Sequence, residues 1–493
     1  VNAFISTNRR EATIALAVYA TLVGVCWLAG ERMVIPYEFG HLLPRELLED
    51  RLGESLLYLH SQPPILNLLL GLTLKIARWS GVAPETVGFI LQFMLGGLVV
   101  SAWAALVGRL VAPGRRRWIC LGLLVLHPVL YSSLFLYFYM LHETLLLAAV
   151  VVFAHRYMRR RRIGDFAVVS FLLVAMCYLR SMFHPLWAVA MLLWMKAPLG
   201  WGRSSAARRG RRREWAIFAG AILLLLAWPA KNALIFGRFT YSTWTGFNLA
   251  QGLPIDASEF GAGMFEEAPA QFADIPAVAE RLQHIGSRNM NHYGAIGECE
   301  ALGREAKKFL KERPFFIFVK AARNYWRFTR YSGRQPYTGY YGSFFECSPW
   351  MRSWHGGYER ILFLDFRSRA TLDSVDIRIH PESLYEDYPQ EWTLAPFCFT
   401  FPLIIIGAAV AIRRRRRRRP LQTRAAAYML FCILWVLAMT LFIDGAEGNR
   451  LRFSTEPFLF VLVFWLISPP KRAAHAGNDR LSHALNPEGM TQL

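Results

Sequence analysis

The chain has 493 residues, 54% of them hydrophobic and 14% aromatic, with a positive mean hydropathy and a formal net charge of +21. That is more apolar than an ordinary soluble domain, so the composition excludes a simple water-soluble fold and makes a bilayer the expected solvent. The charge alone would suggest nucleic acid, but its placement at the ends of apolar segments excludes that partner and points to anionic lipid headgroups instead.

In chain order, apolar stretches predict membrane spans near 12–30, 86–108, 118–136, 141–155, 166–183, 184–197, 215–232, 392–412, 425–443 and 456–469. A helix needs about 17 to 25 residues to cross a hydrocarbon core of roughly 30 Å, and the fourth and sixth of these are short for it. The first span follows Arg9-Arg10, lacks a convincing small-x-small cleavage site, and runs into Glu31-Arg32, so it is expected to stay as an uncleaved helix. Between the first two spans, RELLEDRLGES reads as an amphipathic surface helix with i,i+4 charge pairs. The stretch Pro63–Trp79 could be a further span or an interfacial helix, and parity decides between them. If it does not cross, Arg9-Arg10, Arg109 with Arg115–Arg117, Arg156 with Arg159–Arg162, Lys196 through Arg213, Arg413–Arg424 and the tail all fall on one side. Those segments hold 29 Lys and Arg against 5 Asp and Glu, which marks that side as the cytoplasm.

The expected fold is therefore an all-α polytopic membrane protein with ten spans and both termini cytoplasmic. Residues 1–232 form an N-terminal transmembrane module whose first outer loop covers 31–85, and 233–391 form an extracytoplasmic cap domain. Residues 392–470 hold the last transmembrane helices and 471–493 a cytoplasmic tail. The arginine run Arg413–Arg419 reads as a stop-transfer anchor. Within the cap, Cys299–Lys311 has helical periodicity, and Pro314 opens a second helix through Arg330 that suits either the lipid interface or a buried amphipathic face. Cys26, Cys120, Cys177, Cys398 and Cys432 lie in or beside spans, as small buried hydrophobes do. Cys299 and Cys347 share the outer segment and could pair in an oxidising compartment. No internal repeat and no Cys/His metal spacing is present.

Ionisable groups at membrane depth are costly and mark substrate paths. Four outer clusters qualify: Glu38, Glu49 and Asp50 with Leu59-His60-Ser61-Gln62-Pro63-Pro64; Tyr137, Tyr139, His142 and Glu143; Arg180 and His184; and the string EGNRLRFSTEP with Glu447, Asn449, Arg450, Arg452 and Glu456.

This arrangement resembles the C-type (GT-C) glycosyltransferases, in particular the family 39 and 83 relatives of protein O-mannosyltransferases and the aminoarabinose transferases. In that group an acidic residue follows the first span and a His-Pro-Pro-Leu or Lys-Pro-Pro-Leu element opens a juxtamembrane helix. Here Glu38 stands at the first position, where Asp is usual, and Gln62-Pro63-Pro64-Ile65 at the second. Glu143 matches the acidic residue of the next outer turn, and Arg450, Arg452 and Pro457 match the C-terminal arginine motif. The likeness covers about residues 10–250 and 430–460. It implies a GT-C-like helical bundle with an outer-face cap in the plasma (inner) membrane. It also implies inverting transfer of a sugar from a polyprenyl-phosphate donor to a hydroxyl of a lipid, glycan or protein acceptor.

That chemistry needs a carboxylate to accept the acceptor proton, for which Glu38 is the first candidate and Glu49 or Asp50 the fallback, and Glu143 is the second residue assigned a catalytic part. It also needs cations to hold the departing phosphate. Arg450 and Arg452 are placed for this, unless they pair with Glu447 and Glu456. Arg180, near the end of an apolar run, requires a partner that Glu143 or a phosphate would supply. His60 and Gln62 are candidates to contact the donor, or else open the helix set by Pro63 and Pro64. His184 is a further candidate contact, although His142 and His184 more often serve structure at such positions. Glu38, Glu143 and His60 leave a divalent metal open, but so dispersed a set defines no ligand spacing, and no metal or other cofactor is predicted beyond the lipid-phosphate sugar itself. The alternative function is a transporter or flippase of a lipid-linked or polar solute, which would more often show inverted repeats.

Overall fold

The computed structural model describes residues 9–37, 42–196, 205–250, 253, 255, 291, 294–329, 348–363, 397–417, 419–443 and 452–468. Glu38, Arg450, Glu447, Cys347 and the tail 471–493 lie outside the described residues, and so does the proposed Cys299–Cys347 pairing. The described chain is helical apart from one parallel bridge between Val34 and Leu136.

The N-terminal helices are α1 (Arg9–Leu28), α2 (Arg45–Asp50), α3 (Leu52–Leu57), α4 (Ile65–Ser80), α5 (Pro84–Leu110), α6 (Arg115–Val125), α7 (Pro128–Phe135), α8 (Met140–Arg160) and α9 (Ile163–Leu179). They are followed by α10 (Pro185–Lys196), α11 (Ser205–Phe236), α12 (Thr245–Ala250), α13 (Gly294–Glu312), α14 (Phe316–Thr329), α15 (Pro349–Phe363), α16 (Phe397–Arg415), α17 (Pro420–Phe442) and α18 (Glu456–Ile467). Six helical stretches are long and apolar enough to cross a membrane: Arg9–Leu28, Pro84–Leu110, Arg115–Phe135, Arg212–Phe236, Phe397–Arg415 and Pro420–Phe442. The chain is therefore a multi-pass membrane protein by helix length and composition. Three further expected spans are shorter apolar helices, Ile163–Leu179, Pro185–Met195 and Glu456–Ile467. The remaining one, α8, carries Glu143 in its first turn and Arg159 and Arg160 in its last. The ten expected spans thus exceed what length and apolarity alone identify, because polar residues and chain breaks shorten the others.

The basic helix ends meet at one end of the bundle. Arg117 reaches Glu11 at 3.3 Å, Arg156 reaches Asp165 at 3.2 Å, and Tyr157 donates to Glu214 at 2.7 Å. Gln422 donates to the Arg109 carbonyl at 3.2 Å. Arg415 donates to the carbonyls of Trp465 and Leu466 at 2.8 and 2.9 Å, and Arg116 donates to that of Ile467 at 2.5 Å. A helix leaves its last carbonyls without intrahelical partners, and these arginines satisfy those of α18 while complementing its negative dipole end.

The α6–α7 stretch and α5 form the centre of the bundle, whereas α1, α11 and α16 turn most of their sides outward, exposing Leu28, Leu223 and Leu403. Between helices in lipid, close packing rather than water exclusion holds the contact. At the α1–α5 crossing Tyr19 donates to the Phe93 carbonyl at 2.9 Å, and a Cβ at Gly96 would overlap the Tyr19 hydroxyl, so only glycine fits.

The stretch α4 is not among the crossing helices. It buries Leu66, Leu70 and Leu74 and exposes Leu72, Ile76 and Trp79, while Arg78 pairs with Asp50 at 3.1 Å. The predicted surface helix is split into α2 and α3, tied by the Arg45–Glu49 and Arg51–Glu54 pairs. The two periodic segments of the cap form α13 and α14 as the pattern predicts, and α12 crosses α13 where a Cβ at Gly246 would overlap the Cys299 carbonyl. One element departs from a cap resting on the surface. The α15 helix packs along α6–α7, with Trp354 4.9 Å from Tyr131 between ring centroids and the Tyr358 hydroxyl donating to the Leu123 carbonyl at 2.6 Å. A helix of the segment expected to form the cap therefore packs into the bundle.

Candidate functional site

The turn between α7 and α8 carries the first cluster. Val34 N–H donates to the Phe135 carbonyl at 2.8 Å and Tyr137 N–H to the Val34 carbonyl at 2.9 Å, so the chain leaving α1 is laced to this turn. Tyr137 also shares a hydrogen bond with Thr73 of α4 at 2.9 Å. One turn into α8, Glu143 is fully buried and accepts from the Arg180 guanidinium at 2.9 Å. Arg180 is the residue that ends α9, in extended backbone, and its guanidinium carbon lies 4.1 Å from the centre of the Tyr139 ring. A bidentate-capable cation held between a carboxylate and a ring face is costly to bury and is stable only with both partners. The partner predicted for Arg180 is thus Glu143.

The Pro-Pro segment joins this cluster through its next neighbour. Ser181, beside Arg180, donates to Gln62 at 2.7 Å. His60 is buried, sharing one hydrogen bond with the Thr243 hydroxyl at 2.9 Å and donating from Nε2 to the Asn291 carbonyl at 3.1 Å. Ser61 donates to the Asn291 side chain and Ser242 to the Ser61 carbonyl. Residues 60–62, the turn at Arg180–Ser181 and residues 242–243 with Asn291 are therefore one hydrogen-bonded unit. Thr243, Ser181 and Asn291 were not legible as its members, because each is a small polar residue with no motif around it.

His184 stands apart. It is exposed, and its Nδ1 accepts from the Leu186 N–H at 3.3 Å, which makes it a cap of α10. His142 is likewise spent locally, on the Phe138 carbonyl at 3.2 Å.

A second buried cluster forms around Arg452. It is 2% exposed, pairs with Glu456, and donates to the Phe328 carbonyl at the end of α14 at 2.7 Å. Glu456 accepts in turn from His127 Nε2 at 2.7 Å. Of the two roles open to Arg452 in the sequence, the structure realises the ion pair with Glu456. The sequence reasoning missed His127, which occupies the break between α6 and α7: Pro128 has no N–H to continue the ladder, and His127 Nδ1 accepts from Val129 N–H at 3.3 Å. A lone His-Pro inside an apolar span was the available signal. At ~1.5 Å per residue, His127 is about 18 Å along the chain's helical rise from Arg115 and Glu456 about 17 Å from Ile467, so the two meet well away from the basic helix ends.

Among the described residues, no group of three His, Cys, Asp or Glu side chains could hold a metal ion. One carboxyl outside the spans stands without a hydrogen-bond partner at its buried oxygen: Glu298 of α13, pushed up to about 7 by burial. A carboxyl raised by folding binds more protons folded than unfolded between the ordinary carboxylate range and about 7, so stability falls as pH rises through that window. Hydrogen exchange in α13, corrected for intrinsic rates, is expected to be slower at pH 5 than at pH 8, and Glu298→Gln is expected to erase the difference. An unchanged difference in that variant would assign it to another group.

No known protein family, no curated protein and no solved structure matches this chain.

Proposed function

We propose that the protein is a glycosyltransferase that moves a sugar from a polyprenyl-phosphate donor to an acceptor hydroxyl of a lipid, glycan or protein at the outer face of the plasma membrane. The proposal includes a GT-C-like bundle of ten membrane helices with both termini cytoplasmic. The observation that carries it is the meeting of Gln62, Ser181, Arg180 and Glu143, which unites three outer segments remote in sequence. Support for the sidedness comes from the basic helix ends gathering at the opposite end of the same helices.

In this reading Glu38 takes the proton of the acceptor hydroxyl, whose oxygen attacks the anomeric carbon from the face opposite the phosphate. The bond from that carbon to the phosphate oxygen breaks, its electron pair leaves on the phosphate, and configuration inverts. Arg450, Arg180 and Arg452 are the candidate cations for the growing charge, and the His60–Gln62 segment positions the donor. Glu143 acts through Arg180, holding it in place.

The test is transfer of labelled sugar from polyprenyl phosphate in purified membranes. Wild-type protein is expected to transfer, and Glu38→Gln to lose at least a hundredfold in rate at unchanged expression, the lower end of general-base contributions of about 10²–10⁴. Full activity in Glu38→Gln removes that residue from the mechanism, and no transfer from any polyprenyl-phosphate sugar removes the function.

A further inference from the structure

Lys231 lies near the outer end of α11, about 29 Å along the helix from Arg212 at ~1.5 Å per residue, and so at the far edge of the hydrocarbon layer. Its ammonium donates to the Leu59 carbonyl and sits 3.7 Å from the Trp228 ring centre and 5.3 Å from that of Phe236. Among the described residues no carboxylate pairs with it, whereas Arg180 and Arg452 are each paired with one. An ammonium has three N–H donors, and the Leu59 carbonyl takes one. Lys231 is only partly buried, so the residue is not sealed within the protein.

Three surrounding features define that ligand. Phe236, which the ammonium faces, also meets the His60 ring edge-on at 5.1 Å, so Lys231 borders the segment that carries His60 and Gln62. The aromatic walls lower the local dielectric and strengthen a charge-assisted contact to an anion. Near Lys231 in sequence, Leu234 and Phe239 are 87% and 67% exposed, an apolar surface at this end of α11.

We propose that Lys231 anchors a phosphate borne on an isoprenoid lipid, with the chain lying along the exposed Leu234 and Phe239. This deepens the glycosyl-transfer reading and rests on it for the identity of the lipid as donor. The opposing account is a lysine that only snorkels to the membrane edge and is tethered by one carbonyl.

The experiment uses the full chain in maltoside micelles, which contain no phosphate. Lys231 is modified with an amine-reactive reagent and its peptide quantified by mass spectrometry with farnesyl phosphate, inorganic phosphate or farnesol present. Farnesyl phosphate is expected to protect Lys231 at concentrations at least tenfold below inorganic phosphate, with farnesol giving no protection. Equal protection by the two phosphates would assign the site to free phosphate and overturn the lipid source. Protection by farnesol, or by none of the three, overturns the anion site. Binding of radiolabelled farnesyl phosphate is expected to survive K231R and to weaken at least tenfold in K231Q. Should K231Q fail to fold, the protection series and K231R decide alone. Protection without sugar transfer leaves this site standing and sinks the transferase reading, and transfer without protection does the reverse.

Discussion

Arg180→Met is expected to destabilise the protein by about 3–5 kcal/mol, because it leaves the fully buried Glu143 carboxylate without its cation. The loss should appear as a lower unfolding midpoint in detergent and as reduced recovery of folded protein. The double variant Arg180→Met/Glu143→Gln removes both charges and is expected to regain most of that stability, since replacing a whole buried pair is often close to neutral. Activity separates the two roles of the pair. If Arg180 serves the departing phosphate, the double variant folds and does not transfer sugar; if the pair only fastens α8 to the end of α9, recovery of stability brings transfer back. The comparison targets the Glu143–Arg180 ion pair directly.

Glu456→Ala is expected to cost a similar amount, about 3–5 kcal/mol, for a related reason. Its carboxylate joins Arg452 and His127, both almost fully buried, so its removal takes a carboxylate partner from one buried cation and one buried imidazole. His127→Phe should cost less, about 1–3 kcal/mol, because the Arg452–Glu456 pair survives and only one hydrogen bond is lost. The ordering of the two variants in thermal unfolding is the check. Equal effects would mean that the helix break, not the charge, governs this region. Because Arg452 also holds the end of α14, proteolysis within the cap should quicken in Glu456→Ala and not in His127→Phe.

The sequence made some of this architecture legible and hid the rest for identifiable reasons. Long apolar helices such as α5 and α17 follow from composition alone, and the gathering of Arg117, Arg156 and Arg415 at one end follows from the charge rule. The Arg180–Glu143 pair was anticipated because an arginine at the end of an apolar run demands a partner. Nothing in local pattern could anticipate Asn291 closing on His60 and Ser61, since that contact joins residues more than two hundred positions apart. Nor could it place α15 against α6–α7, as an amphipathic helix looks the same whether its apolar face meets lipid or protein. Lys231 escaped notice because a single lysine at the end of a span is ordinary, and only its place between the Leu59 carbonyl and the Trp228 and Phe236 rings sets it apart.

The shortness of α18 bears on how the chain is assembled. With 12 residues it is too brief to lodge in a bilayer by its own apolarity, and its first residue is an acid. What retains it are receptors made earlier: His127 for its acidic start and the side chains of Arg116 and Arg415 for its final carbonyls. The α18 helix thus depends on helices made before it, and chains in which α6 and α16 have not docked should be recognised by quality-control proteases at this segment.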